Sequence, residues 1–265
     1  VGLNIVQAAS MVSANPILGV DIHDEKINSA LTFGLNKGFN FNDKNIFKNL
    51  LLYNNNKKFD VVIETTGKSD VIEKAYDLYF IREHKNMPFL LHVHWTIPHA
   101  NNEGGRATGD GMEVPDYGIY AKENWPNTKK GAAAMITRMD RDVGKIIQLL
   151  KELDIQNETM IFFTSDNGPH SEGGHKHETF NANGPLRGYK RDLYEGGIRV
   201  PGIAYWPNKI SPGTESDQPL AFWDWLPTAC DLAGITPPAA LDGLSFVPTL
   251  LGKADEQQIH PYLFW

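Results

Sequence analysis

The chain has 265 residues, 41% of them hydrophobic and 22% charged, with a formal net charge of −7. That length allows one large α/β domain or two smaller ones around an ordinary core. The negative balance argues against a nucleic-acid groove, and no apolar run reaches the roughly 18 residues of a transmembrane helix, so neither nucleic acid nor a membrane is an expected partner. Residues 1–15 carry no basic stretch ahead of an apolar one, so no signal peptide is visible. Cys230 is the single cysteine, which leaves no internal disulfide.

Composition shifts near residue 78. Residues 1–78 hold none of the seven arginines or six tryptophans, one of the 16 prolines and 11 of the 21 asparagines. Two segments, 1–78 and 79–265, are therefore expected. Residues 3–11 place apolar side chains at helical spacing. Residues 17–21 predict a buried strand with an acidic end, Asp21. Asp24 predicts the cap of a helix through Leu31, with Gly34 near its C-terminus. Residues 37–41 predict a second strand and 59–63 a third, and Asp70 predicts the cap of a helix through Leu78. Strands alternating with helices imply βαβ units and a parallel sheet.

Residues 88–95 predict a strand that leaves through Thr96-Ile97-Pro98-His99, which puts His99 on the loop after it. His92 and His94 share one strand face and read as structural. Residues 100–128, rich in Gly, Asn and Pro, predict a long functional loop. Residues 131–153 give the clearest helix. Ile136, Met139, Val143, Ile146, Leu150 and Leu153 predict one buried stripe, and Arg138, Arg141, Asp142 and Lys145 a solvated face.

That helix leads to an apolar run over residues 159–163, which stops at Ser165-Asp166-Asn167-Gly168. A strand ending in a carboxylate and a carboxamide offers two hard oxygens where open α/β sheets bind ligands, and Ca²⁺ or Mg²⁺ prefers such donors. The loop 168–177 holds His170, His175 and His177. No thiolate or spaced carboxylate completes a tetrahedral set with them, so zinc is not expected. Lys190 lies in a glycine-flanked loop ahead of a strand predicted over 198–205, where an ammonium can neutralise an oxyanion. Residues 195–199 read as structural, their paired glycines permitting a tight turn. Cys230 reads as a buried small hydrophobe.

Residues 1–78 resemble the nucleotide-binding half of medium-chain, zinc-type alcohol dehydrogenases. Val1-Gly2-Leu3 is similar to the end of that family's glycine-rich turn, and Asp21 follows at about the family's 20-residue spacing. The resemblance implies a partial Rossmann segment in which Gly2 and Asp21 are the cofactor-binding positions. The first strand, the earlier glycines and the zinc ligands have no counterpart, so NAD is not expected to bind. A dehydrogenase fragment is the alternative reading.

Residues 79–265 resemble the sulfatase family of the alkaline-phosphatase superfamily. The residues that carry this are Pro98-His99, Ser165-Asp166-Asn167-Gly168, Gly184-Pro185-Leu186-Arg187 and the run from Tyr194 through Glu195-Gly196-Gly197 to Pro201. The tail from Phe222 to Ala233 and Asp242-Gly243-Leu244-Ser245-Phe246 continue the match. The resemblance implies an α/β fold with helices around a mixed sheet, alkaline-phosphatase-like but incomplete. It implies calcium-dependent hydrolysis of sulfate esters, with Asp166 and Asn167 as two Ca²⁺ ligands. Lys190 corresponds to the lysine that grips the sulfate oxygens. His99 corresponds to the histidine beside the bridging oxygen, so both are implied as catalytic and substrate-binding. The implied partner is a sulfate-ester small molecule or a sulfated glycan, and the implied location periplasmic or secreted.

Sulfatases make a formylglycine from Cys or Ser in a C/S-x-P-x-R motif. No arginine of this chain has Cys or Ser four positions before it. The family's N-terminal acidic pair and C-terminal sheet subdomain also lack counterparts. The chain is therefore expected to be a chimera of two fragments, inactive as written, with a non-catalytic binder of sulfated ligands as a further alternative.

Overall fold

The computed structural model describes residues 2–11, 14–55, 63–64 and 80–264. They divide into two compact units, one built from residues 1–99 and 136–146, the other from 100–135 and 147–265. The boundary expected at residue 78 and the helix expected from Asp70 lie outside the described residues.

The first unit opens with helix α1, Gly2–Met11. Strand β1, Leu18–Asp21, helix α2, Asp24–Leu31, and strand β2, Lys37–Asn40, follow. β1 and β2 pair in parallel, so α2 is the crossover of one βαβ unit, as the alternation predicts. Gly19 and Gly38 face each other in the register. A Cβ on Gly19 would lie 2.8 Å from Leu35 Cδ1, and one on Gly38 would lie 2.0 Å from Ile27 Cγ2. Two glycines thus let Ile27 of α2 and the buried Leu35 sit directly on the strand pair. Gly34 makes the turn out of α2 at φ +105°, a value open to glycine at little cost.

Asp24 is not the cap. His23 precedes the helix in extended geometry, and Asp24 is its first residue, with Oδ1 accepting from Asn40 Nδ2 at 2.8 Å. Helix α3, Ile46–Tyr53, was not predicted; asparagines crowd both of its ends and mask its apolar face. Ile46 is 3% exposed, and Tyr53 meets Phe39 edge-on. Strand β3, Ile63–Glu64, is all that is described of the third predicted strand. It pairs in parallel with β4, His92–Val93, so one ladder joins residues from either side of position 78. β4 is shorter than the predicted 88–95. His92 and His94 do share a face, their rings 6.0 Å apart and nearly parallel.

The second unit contains helix α4, Asn102–Thr108, inside the segment predicted as loop. The side chain of Asn101 caps it by accepting from the Gly104 N–H, and Gly109 closes it at φ +79°. Helix α5, Asn127–Glu152, contributes residues to both units. Its buried positions differ from the predicted stripe. Ala132, Ala133, Ala134 and Met135 are all buried, as are Leu149 and Leu150, whereas Ile136 is 47% exposed. Gly131 explains the all-round burial at the start of α5, since a Cβ there would lie 1.9 Å from the Met112 carbonyl oxygen. Asp142, expected on the solvated face, is buried, with Lys145 Nζ 3.3 Å from its Oδ1.

Strand β5, Ile161–Thr164, pairs antiparallel with β6, Gly202–Tyr205. Between them lies the short helix α6, Glu195–Ile198, and after them α7, Trp225–Leu232, and α8, Val247–Leu250. Phe162 of β5 stacks 5.5 Å from Trp225 and lies 5.4 Å from Phe246, tying strand to tail. The single mixed sheet expected from sequence is not what the described residues form. They form three two-stranded pairs, two parallel and one antiparallel, from strands of two to four residues. Cys230 is half-buried rather than fully buried. No described helix is long and apolar enough to cross a membrane.

Asp224 anchors the tail. Its side chain, 1% exposed, accepts from the Ala221 and Leu244 N–H groups at 2.8 Å each and lies 2.7 Å from His260 Nε2. Asp224→Ala would leave two buried donors unpaired, so the urea midpoint read by tryptophan fluorescence should fall by the equivalent of about 2–4 kcal/mol. An unchanged midpoint would show that water replaces the carboxylate.

Candidate active site

β5 carries the chain into Ser165-Asp166-Asn167-Gly168. Ser165 Oγ donates to the Asn167 carbonyl at 3.2 Å and Asn167 Nδ2 to the Gly168 carbonyl at 2.9 Å, which closes the turn. Asp166 is exposed at the end of the strand. Gly168 is buried, and a Cβ on it would lie 2.0 Å from the Gly196 carbonyl oxygen. Only glycine lets the turn come this close to α6.

The lysine loop is bonded to the same turn. The Gly168 N–H donates to the Gly197 carbonyl at 2.9 Å, and the Lys190 N–H to the Pro169 carbonyl at 2.8 Å. The backbones of the Asp166–Asn167 turn and the Lys190 loop are therefore held side by side. Gly196 and Gly197 serve a different purpose from the tight turn expected of them. They are buried in α6, where a Cβ would lie 2.2 Å from the carbonyl oxygens of Gly188 and Asp192 respectively. Close approach of main chains, not a left-handed φ, requires glycine there.

The histidine-bearing loop is fixed by glycines too. Gly111 donates its N–H to the Gly173 carbonyl at 2.8 Å, and Asn101 donates to Gly111. A Cβ on Gly105 or on Gly111 would lie 2.8 Å from the Gly173 Cα. This close packing presents Glu172, whose side chain is 15% exposed. Asn102 Nδ2 donates to its Oε2 at 3.3 Å, and Arg191 donates to its Oε1 through Nη2 and, at 3.0 Å, through Nε. Burial pushes this carboxyl upward, but hydrogen bonds from Arg191 and Asn102, with the charges of Lys190 and Arg191, outweigh it and hold the carboxyl below its ordinary value near 4.5. Glu172 thus links α4, the histidine loop and the lysine loop. Nothing in the sequence singled it out; its signal was a lone acid inside a run of Gly and His.

The three histidines of this loop lie near one another but make different contacts. His170 Nδ1 accepts from the Glu172 N–H at 3.2 Å, and its ring lies 5.5 Å from that of His175. Burial, then the neighbouring His170 and His177, lowers the basicity of His175. His177 stacks on Tyr189 at 4.3 Å, and its Nδ1 lies 2.7 Å from Ser171 Oγ. Among the described residues no three His, Cys, Asp or Glu side chains converge as a metal cluster. A cleft of about 380 Å³ opens here, lined by Ser171, Gly174, His175, Lys176, His177, Glu178 and Tyr189.

His99 lies in the first unit, after β4, where its N–H donates to the Thr96 carbonyl at 2.9 Å and closes a turn. The loop position matches the sequence reading. Gly2 begins α1, and Asp21 ends β1 with Oδ1 accepting the His23 N–H at 2.9 Å. The Asp21 carboxylate is thus engaged in a local turn.

The sulfatase family model matches residues 26–235. The chain belongs to the sulfatase family. The match begins inside residues 1–78, upstream of where the resemblance was read. Among curated relatives, this sulfatase chain is 35% identical over 194 residues to the steryl-sulfatase of Homo sapiens, covering 70% of the chain and 30% of the relative. It is 40% identical over 200 residues to the N-acetylgalactosamine-6-sulfatase of Canis lupus familiaris, covering 71% and 34%. The chain thus spans about a third of the length of these relatives. The solved PsFucS1 sulfatase from Pseudoalteromonas sp. superposes with a TM-score of 0.56 at 26% identity, over 74% of this chain and 37% of that one. Ps i-CgsB, crystallised with k-i-k-neocarrahexaose, shares the fold with a TM-score of 0.55 at 24% identity, over 89% of this chain and 55% of that one.

Two outcomes follow from this geometry. Gly168→Ala should separate the Asp166 turn from α6, with loss of amide exchange protection at Gly168 and Lys190; retained protection would refute the close-approach reading. Glu172→Gln should cost about 1–2 kcal/mol at pH 7, because the Arg191 side of the pair is 75% exposed. The lowered carboxyl gives stability that is full above its ordinary value near 4.5 and lost as pH falls through the folded value. The wild-type urea midpoint should therefore drop more steeply below pH 4.5 than that of Glu172→Gln, and parallel curves would contradict the assignment.

Proposed function

We propose that this chain carries the sulfate-recognition part of a sulfuric ester hydrolase, arylsulfatase-like in its chemistry. The observation that supports it is the bonded pair of loops, the Asp166–Asn167 turn against the Lys190 loop. The Lys190 ammonium would neutralise the non-bridging oxygens of the ester, where charge must be held as the S–O bond breaks. The family resemblance gives His99, in the first unit, the role of proton donor to the departing alcohol. The Asp166 carboxylate makes no hydrogen bond or ion pair to another described residue, and Asn167 donates through Nδ2, which leaves Oδ1 as an acceptor. Two hard oxygens fit Ca²⁺ in kind and supply part of its usual six to eight ligands. A bound Ca²⁺ would polarise the sulfate.

Hydrolysis also needs a nucleophile. No C/S-x-P-x-R motif exists in residues 1–265, and Ser165 has no base placed to activate it, since its Oγ is committed to the Asn167 carbonyl. The reading is therefore of a chain that binds sulfate esters and does not turn them over. In the first unit, the sulfatase match from residue 26 takes in most of α2 and all of β2, so the parallel β1–α2–β2 unit supports no separate dehydrogenase origin for that stretch.

With millimolar Ca²⁺, isothermal titration of an aryl sulfate should show binding that Lys190→Ala weakens about tenfold, the loss expected for one charge-assisted contact. Equal affinity in Lys190→Ala would remove the lysine from the site. An aryl sulfate assay should give no turnover above background, and turnover that vanishes in Asp166→Ala would overturn the inactivity.

A further inference from the structure

Asn183 takes part in nothing derived so far. It is half-buried and precedes the Gly184-Pro185-Leu186-Arg187 stretch that leads to Lys190. Its Nδ2 donates to the Leu186 carbonyl and to the Gly188 carbonyl, at 2.8 Å each. Two carbonyl oxygens meet the end of one side chain, so the amide nitrogen must face them, and both of its protons are used. An asparagine in a turn ordinarily bonds its own backbone two residues on. These bonds reach three and five residues ahead and so span the whole bend.

The bend has three left-handed residues, Asn181 at φ +49°, Gly184 at φ +52° and Gly188 at φ +86°. Main-chain bonds close only its first half. The Gly184 N–H donates to the Asn181 carbonyl at 2.9 Å and the Leu186 N–H to the Asn183 carbonyl at 3.0 Å. Among the described residues, no other donor reaches the carbonyls of Leu186 and Gly188. The Gly188 carbonyl is the one that a Cβ on Gly196 would meet at 2.2 Å. Asn183 therefore fixes the group that packs against α6, beside the Gly197 carbonyl that receives the Gly168 N–H. Lys190 lies two residues past Gly188, so a displaced Gly188 carries the lysine with it.

We propose that Asn183 is the positioning residue for Lys190, bracing the loop from within so that the ammonium meets the sulfate oxygens. This rests on the sulfate role proposed for Lys190. Asn183 touches no ligand itself and acts only through the lysine.

The test is a double-mutant cycle on the 265-residue chain, read by calorimetric titration of phenyl sulfate in millimolar Ca²⁺. Asn183→Asp keeps the shape of the side chain and sets a carboxylate against two carbonyl oxygens. Asn183→Ala removes the brace without adding a charge, and remains informative if the aspartate variant fails to fold. Each should raise Kd about fivefold, less than the loss of the lysine itself, because a displaced ammonium still attracts the anion. In a Lys190→Ala background, either change should leave Kd within about twofold. A purely structural asparagine would lower the urea midpoint and leave the Kd of the folded chain unchanged. If Lys190→Ala weakens binding and the Asn183 variants do not, the positioning role is overturned and the sulfate role of Lys190 stands. Equal weakening by the Asn183 variants with and without Lys190 also overturns it, since the effect would then run through another group. Weakening by the Asn183 variants alone, with Lys190→Ala binding as tightly as the wild type, overturns both readings, as does the absence of any binding.

Discussion

A carboxylate withdrawn from water must recover its lost hydration from donors of the protein, and the arrangement of the second unit turns on how Glu172 does so. With 15% of its side chain exposed, Glu172 takes donors from Asn102 at the start of α4 and from Arg191 in the lysine loop, while lying in the histidine loop itself. Three stretches distant in sequence converge on two oxygen atoms. The net effect favours the charged form, which means that attraction exceeds desolvation at this position. Lys190 sits next to Arg191 and adds its own field. The placement of Lys190, proposed above to hold the sulfate, is therefore coupled to an acid that belongs to no motif.

The second constraint is steric. Gly105, Gly111 and Gly173 in one cluster, and Gly168, Gly196 and Gly197 in another, bring main chains within distances that a Cβ would forbid. In each cluster a hydrogen bond crosses the contact, from Gly111 to Gly173 and from Gly168 to Gly197. Loops held this way do not depend on side-chain packing, which suits a region whose side chains are mostly polar.

Much of this was legible in the sequence. Periodicity placed α1 and α5, Asp24 and Gly34 bracketed α2 although Asp24 is its first residue and not its cap, and the β1–α2–β2 alternation implied its parallel pairing. The end of β5 at Asp166 and Asn167, and the loop positions of His99 and Lys190, followed from apolar runs stopped by turn residues. Other features resisted. Helix α4 hides in a stretch rich in Gly and Asn, because its N-cap is a side chain and its face is not apolar. The burial of α5 departs from a single stripe because its alanines are small enough to be covered all round, a property that spacing does not encode. Asp142 looked solvated and is buried. Glu172 and Tyr189 draw their meaning from partners 19 and 12 residues away, Arg191 and His177, and such pairings have no periodic signature.

Arg191 adopts φ +85°, in the left-handed region that non-glycine residues enter at a cost of about 1–2 kcal/mol. Glycine would suit that backbone better. Yet a glycine there would carry no guanidinium, and Glu172 would lose the partner that draws the lysine loop toward it. At this one residue, local comfort of the chain and placement of the neighbouring ammonium pull in opposite directions. Replacing Arg191 by glycine would relax the backbone by about that amount and forfeit about as much from the lost pair, so a search by thermal resistance alone would pass over a change that cuts the lysine loop loose from its anchor.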